Sequence, residues 1–359
     1  MSPGKTGASG AALRKLLIRG LTMIAVLLVV QLLVVISLGA TGYSDRMLRA
    51  VIGEEIRGIR VSLAETIRDP DSLEEALAAR QEELEKAYGI DRPWYTRLPG
   101  MVFRVFALDL GEAHTLRSST GSNRVVDIVL ERIPNSILLL MTSLAITAVI
   151  GILVGVRLSS HPGELLDRAV SGFAAVSFAV PTWWIGILFI LLFSFSWSIL
   201  PSGGMFSSPP PVGGLARFLD MLHHALLPII TLVLTSLGPY IYVVRTMTLS
   251  IAQSDHVVVA RAKGMSEGVV SRRHILRVAA PPIVTGLIMG FAGTLGGSIL
   301  VETVFNWRGM GRLYYEAIAG TPDEMVIVAL TFVYTLLYVI ARMILEVLYM
   351  FLDPRVRYR

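Results

Sequence analysis

The chain has 359 residues, 53% hydrophobic and 16% charged, with a formal net charge of +5 and a mean hydropathy of +0.65. A charged share so far below the roughly 25% of soluble domains excludes an ordinary soluble enzyme, and the lack of cysteine excludes disulfides and thiolate metal sites. The basic residues cluster beside apolar runs long enough to cross a ~30 Å hydrocarbon core, which argues for a membrane chain and against nucleic-acid binding.

Residues 1–15 read as a cytoplasmic N-terminal tail, small, polar and disordered through Ala11. Gly4-Lys5-Thr6 ends like a phosphate-binding loop, but the upstream glycine and a preceding strand are missing, so no nucleotide site is read here. Arg14, Lys15 and Arg19 flank the first span, 16–40, and put the N-terminus inside. That span lacks a small-residue cleavage signal, so it is read as a retained anchor. Residues 41–132 then lie outside. Ser72-Leu73-Glu74-Glu75 is a capping box opening a helix that ends at Gly89. A small helical extracytoplasmic subdomain is expected, as a solvated lid or as a dock for a substrate-binding protein.

Residues 133–352 are read as a five-helix transmembrane core. Its first span is Ile133–Val156, with Pro134 in the opening turn. A short inner loop, 157–168, precedes the third span of the chain, Val170–Leu200. Pro181 removes a backbone bond there and kinks the helix, which either packs or exposes carbonyls near Thr182 and Trp183 to a pathway. Pro201–Ala225 is an outer loop rich in proline and glycine. Leu226–Val244 is the fourth span, with Pro228 and Pro239, and Arg245 marks its inner end.

The loop 251–282 is polar, basic and patterned. Ser254 or Asp255 can cap a short helix through His256–Lys263, and Gly264 suits the left-handed position that ends it. Ser266 can cap a second helix that runs to about Ala280 and stops before Pro281–Pro282. Two short helices hinged by a glycine make a knob on the inner membrane surface. With nothing catalytic on it, the knob is most simply a docking element.

The fifth span, Ile283–Val301, is studded with Gly286, Gly290, Gly293, Gly296 and Gly297. Small residues at that density let helices approach closely in lipid and are also compatible with a substrate path. Glu302 follows at the outer face, where it either pairs with Arg308 or Arg312 or serves a gate together with Phe305. The sixth span is Val326–Leu352, and 353–359 is a cytoplasmic tail. Six spans with both termini inside satisfy the charge clusters, apart from the long outer subdomain, which obeys the rule weakly.

Several of these stretches resemble one family. Ala260-Arg261-Ala262-Lys263-Gly264 is similar to the loop signature of permease subunits of bacterial ATP-binding-cassette (ABC) importers. The usual opening Glu-Ala-Ala is replaced by Val258-Val259-Ala260, so the acidic residue is missing, as in the dipeptide and oligopeptide branch. Residues 88–93 and 109–111, residues 126–134, and Glu302-Thr303-Val304-Phe305-Asn306-Trp307-Arg308-Gly309-Met310-Gly311 resemble the same branch. So does the tail Asp353-Pro354-Arg355-Val356-Arg357. The resemblance implies an all-α membrane protein of the type I importer permease kind, six transmembrane helices with the small outer subdomain between spans 1 and 2, in a bacterial or archaeal cytoplasmic membrane. It implies a non-catalytic transport subunit that works with a second permease chain, two ABC ATPase subunits and a substrate-binding protein. ATP and magnesium would bind on the ATPase partner, with no cofactor or metal on this chain. It makes 251–282 the coupling loop, carried by Asp255, His256, Ala260, Arg261, Ala262, Lys263, Gly264 and Ser266. Pro181, Thr182, Trp183, Glu302 and Phe305 are the candidate pathway or gate residues. Members of the family carry peptides, oligosaccharides, nickel chelates or other small solutes.

Other classes have less to stand on. No HExxH sequence occurs, so a zinc protease is unsupported. The histidines, 114, 161, 223, 224, 256 and 274, all lie outside the deep parts of the spans, so Ser298 has no base for hydrolysis. His223–His224 reads as an interfacial polar pair rather than a metal site. A stand-alone secondary transporter or channel needs an intramembrane charge relay, and the spans offer few such residues.

Overall fold

The computed structural model describes residues 5–160, 162–319 and 323–352. The C-terminal tail, Gly4 and His161 lie outside the described residues. Among the described residues all regular structure is helical, apart from one isolated bridge between Glu112 and Arg124. Among the described residues, four helices are long and apolar enough to cross a membrane: Leu17–Ala40, Val125–Ser160, Gly214–Ala252 and Glu324–Leu348. A fifth crossing is available if Leu165–Ala179 and Thr182–Ser196, bent by 98°, count as one broken span.

The chain divides into two compact units. One is built from Arg19–Arg132 and Leu313–Leu337. It contains most of α1 (Lys5–Ala40), then α2 (Tyr43–Ala64), α3 (Pro70–Ala87) and α4 (Leu98–Phe106). Helix α1 already begins at Lys5, so the expected disordered tail is corrected from that residue onward. Helix α2 has charged residues along its length, but Met47, Leu48, Val51 and Ile52 fall on one buried face, and the helix also packs on α3. The start of α3 is also corrected. Asp69 is its N-cap, accepting from the Ser72 amide at 3.0 Å and from the Ser72 hydroxyl, with Pro70 in the first turn. Ser72 is therefore the donor inside the turn, and its two bonds hold the Asp69 carboxyl below the usual range. The end at Gly89, φ +69°, is as expected. Tyr88 donates to Glu55 at 2.6 Å, and burial, then that carboxylate, push its phenol up to about 12.

The other unit is Ile133–Arg312 with the described parts of the two chain ends. Helix α5 (Val125–Ser160) enters it with Pro134 well inside the helix, nine residues from its start, not in the opening turn. The expected third span is broken rather than kinked. Helix α6 (Leu165–Ala179) stops at Val180, and Pro181 stands as the extended N-cap of α7 (Thr182–Phe189), which runs on as a π turn through Ser196. A proline that lacks its N–H at a helix start disturbs nothing, whereas in mid-helix it leaves a carbonyl unpaired. Helix α8 (Gly214–Ala252) exceeds its expected bounds at both ends. The Pro/Gly character of the preceding loop ends at Gly214, and the following residues are good helix formers of mixed polarity. Helix α6 packs along α8, and Asp167 locks the pair through a two-pronged ion pair to Arg245, Nη2–Oδ2 2.6 Å.

Candidate functional site

Two turns in this second unit carry the sequence's candidates. The first is the loop 251–282. Ser254 (φ −76°, ψ 150°) is the extended N-cap of α9 (Asp255–Ala262), and its hydroxyl turns back to Ile251 O and to His256 Nδ1. The chain leaves α9 through Gly264 at φ +74°. No atom lies within 4 Å of where a Cβ would stand, so glycine is needed for the sign of φ and not for space. Ser266 (φ −64°, ψ 145°) stands at the N-cap position of α10 (Glu267–Val269), but its side chain makes no cap hydrogen bond. The expected stop before Pro281–Pro282 does not occur. A π turn, Val270–Leu276, delivers α10 straight into α11 (Arg277–Val304), with both prolines inside it. The wider turn and the two missing amides loosen the helix without ending it. The second arm of the knob is thus continuous with the long helix α11.

A small core closes the hinge. Val257, Ala260, Val270 and Ile275 are buried together, with Ile251 and Ala252 against them. His256 Nε2 lies 3.2 Å from His274 O and ties α9 to the π turn. Arg261 grips Glu267 across the glycine, Nε–Oε1 2.8 Å and Nη2–Oε2 3.2 Å. That guanidinium holds the Glu267 carboxyl below its ordinary value, and Glu267 raises Arg261 in turn. Ala260, named from the sequence as a contact residue, is buried in the hinge's own core. Asp255, His256, Arg261, Ala262, Lys263, Gly264 and Ser266 are exposed. Between them stand Val258 at 54% exposure, Val259 at 51%, Val269 at 45% and Met265 at 39%. These four apolar side chains escaped the sequence reading. The run Val257-Val258-Val259 gave no hint that only its first member turns inward.

The second turn joins α11 to α12 (Met310–Ile318). Glu302 is fully buried. Its Oε1 accepts from Ser136 Oγ at 2.7 Å, and its Oε2 accepts from the amides of Gly311 at 2.8 Å and Arg312 at 3.1 Å. The Ser136 hydroxyl in turn accepts from the Met310 amide at 2.7 Å. The carboxylate therefore caps the N-terminus of α12, a favourable place for negative charge. It bonds the backbone of Arg312, where the sequence suggested a side-chain pair with Arg308 or Arg312. A Cβ on Gly309 would stand 2.3 Å from Glu302 Oε2 and 2.5 Å from Ser136 Oγ, so only glycine fits. Trp307 is buried and donates to Asn135 O at 3.0 Å, while Asn135 donates to Arg308 O at 2.6 Å. Ser136 and Asn135 were missed, because nothing in sequence links them to a turn that begins 166 residues later.

Phe305 is buried against Gly186 of α7, which brings two of the candidate gate segments together. Thr182 donates to Thr235 of α8 at 3.2 Å, and Trp183 is 38% exposed. His224, from the pair weighed as a metal site, lies 3.2 Å from Gly203 O through Nδ1.

Residues 147–358 match the family of binding-protein-dependent transport system inner membrane components. The chain is 29% identical over 281 residues to the oligopeptide transport system permease protein AppB of Bacillus subtilis, covering 78% of this chain and 86% of that protein. It is 31% identical over 277 residues to a putative peptide transport system permease protein of Brucella abortus, covering 77% and 84%. A solved structure of the MetNI methionine ABC transporter, in an inward-facing conformation, shares the fold. Its TM-score is 0.53 at 17% identity, over 65% of this chain and 99% of that one.

Proposed function

The chain belongs to the family of binding-protein-dependent transport system inner membrane components, and from that premise we propose that it is the permease subunit of an ATP-driven ABC importer for peptides, forming half of the translocation pathway. The peptide cargo is supported by what the relatives of Bacillus subtilis and Brucella abortus are described as carrying. On this reading α1, α5, the α6–α7 pair, α8, α11 and α13 (Glu324–Leu352) make six crossings. Both termini are cytoplasmic, and residues 41–132 face a substrate-binding protein outside. A second permease chain completes the pathway. Two ATPase subunits bind ATP and magnesium.

The observation that carries the proposal is the glycine-hinged loop. Its apolar Val258, Val259, Val269 and Met265, flanked by Arg261 and Lys263, fit a cleft with an apolar floor and acidic edges on the ATPase. Because α10 continues into α11, a push on the loop acts directly on a spanning helix. ATP-driven closure of the ATPase pair then biases a two-state bundle through that lever. Gly264→Val tests it, since a β-branched residue strains at φ +74° by about 1–3 kcal/mol. We expect the variant to insert and assemble, to hydrolyse ATP, and to lose most peptide uptake in reconstituted vesicles. Uptake at the wild-type rate contradicts the lever.

A further inference from the structure

Helix α4 leaves apolar side chains uncovered. Phe103 is 76% exposed, and Leu108, just past the end of the helix, is 64% exposed. The neighbours of this segment are the ends of two spanning helices. The Trp94 ring lies where a Cβ on Gly39 would stand, one residue short of the end of α1. Phe106, the last residue of α4, meets Phe332 of α13 edge to face, ring centroids 5.7 Å apart. Phe332 lies eight residues down α13 from Glu324, about 12 Å along the axis. The end of α4 therefore reaches the flank of α13 about two turns inside the span. An amphipathic helix at that depth lies in the boundary between headgroups and acyl chains. Trp94 and Tyr95 beside it are side chains that favour the same layer.

Gly100, Met101 and Arg104 of α4 also line a cavity of about 670 Å³, which Ser44 of α2 and Glu324 of α13 border. Its described lining is balanced in charge, with three arginines and three carboxyl groups. Arg97 is tied to Asp45, and Glu324 accepts from Ser44 at 2.8 Å. That leaves Arg104 and Arg124 with Asp109 and Glu112, all four exposed. Gly111 (φ +73°) makes room for the Arg104 guanidinium, whose Nη2 lies 2.8 Å from where a Cβ would stand. Arg104 pairs with Asp109 at 3.2 Å, an exposed contact of small net worth that a ligand can open. Glu112 and Arg124 stand opposite each other on the isolated bridge, and the Arg124 guanidinium has no partner among the described residues.

We propose that this cavity binds the headgroup of an outer-leaflet phospholipid that carries a primary ammonium as well as a phosphate. Arg104 and Arg124 take the phosphate, Asp109 and Glu112 take the ammonium, and the acyl chains run along Phe103 and Leu108. The inference rests on the importer reading for the side of the membrane and adds to it a lipid site. The volume is within the ordinary range for ligand sites. Guanidinium groups match phosphate oxygens, and a primary ammonium offers three donors to carboxylates. A choline headgroup has no such donor. A glycerol headgroup has no cation, and leaves the two carboxylates with nothing to neutralise them. The bound lipid then fixes the outer region to the membrane surface through α4.

The test purifies the complete importer in detergent as wild type, as the double variant Arg104→Gln with Arg124→Gln, and as Glu112→Gln. Dioleoyl phosphatidylethanolamine, phosphatidylcholine and phosphatidylglycerol are the probes, and native mass spectrometry counts the lipid that each protein retains. Wild type should retain the ethanolamine lipid about tenfold over the other two, and the double variant should lose about tenfold of that retention. Glu112→Gln should shrink the preference for ethanolamine over choline by about threefold or more at unchanged Tm, which keeps the test independent of any folding defect in the double variant. Equal retention of the three lipids, or a preference that survives Glu112→Gln, overturns the site. Release of the bound lipid by millimolar pentaalanine assigns the cavity to cargo and overturns it too. The placement of α4 is read separately, from a fluorophore on Phe103→Cys in vesicles of phosphatidylcholine brominated on its acyl chains. Quenching by bromine is expected. Unquenched emission puts α4 in water and overturns the inference, while the importer reading stands. Access of a membrane-impermeant thiol reagent to that cysteine only from the cytoplasmic face reverses the topology, and defeats the importer reading together with this one.

Discussion

The 251–282 loop and the turn after Glu302 are built from the same parts and put them to opposite use. Each joins two helices through a residue with positive φ, Gly264 at +74° and Asn306 at +52°. In the loop, the hinge is exposed, its core is four small or medium side chains, and its one ion pair faces solvent. In the turn, a buried carboxylate gathers a hydroxyl and two amides, and a buried tryptophan closes it. The difference teaches which one can move. A turn whose buried carboxylate, hydroxyl and indole are paired internally is a rigid joint, because any displacement strands buried donors. A turn held by exposed contacts keeps its stability for a partner to supply.

Substitutions should separate the two. The largest effect is expected from Glu302→Ala, which leaves Ser136 and the Gly311 and Arg312 amides without their acceptor and should lower stability by about 3–5 kcal/mol. Thermal unfolding in detergent measures it, and a Tm close to wild type would remove the rigid joint from the account. Gly309→Ala drives a methyl group into the same carboxylate and should follow at about 1–3 kcal/mol. On the loop, Val258→Asp should leave Tm unchanged while the ATPase no longer co-purifies. A matching loss of Tm would mean that Val258 serves folding instead. Arg261→Ala should have the smallest effect, at the edge of detection in Tm, since exposed ion pairs contribute little. That pair has a defined pH sense. The Glu267 carboxyl is held below 4.5, so what it contributes is present above about pH 4.5 and is lost as acid protonates it in the folded chain.

The loop was largely legible in the sequence, because its signals are local. Gly264 takes the left-handed hinge, and Ser254 and Ser266 take the extended N-cap positions, although neither serine makes the side-chain cap bond. The error there was to let Pro281–Pro282 end a helix that a π turn carries through. The Glu302 joint was legible in half. Glutamate, phenylalanine and the two glycines stood out, but their physical reason needs Ser136 and Asn135, which only folding brings near. Helix α2 was missed because its apolar face is narrow and its charges dominate the composition. Pro181 misled for a further reason, since sequence cannot tell a proline that kinks one span from one that starts a second helix at 98°.

The claim that the exposed loop docks on a nucleotide-hydrolysing partner has a direct test. The chain has no cysteine, so Val258→Cys places a single thiol on the apolar face of the hinge. Attached there, a photo-activated cross-linker should capture the ATPase chain of the assembled importer, and a membrane-impermeant thiol reagent should reach the site only from the cytoplasmic face. Labelling from the outer face, or cross-links that never include a nucleotide-hydrolysing subunit, would contradict the account.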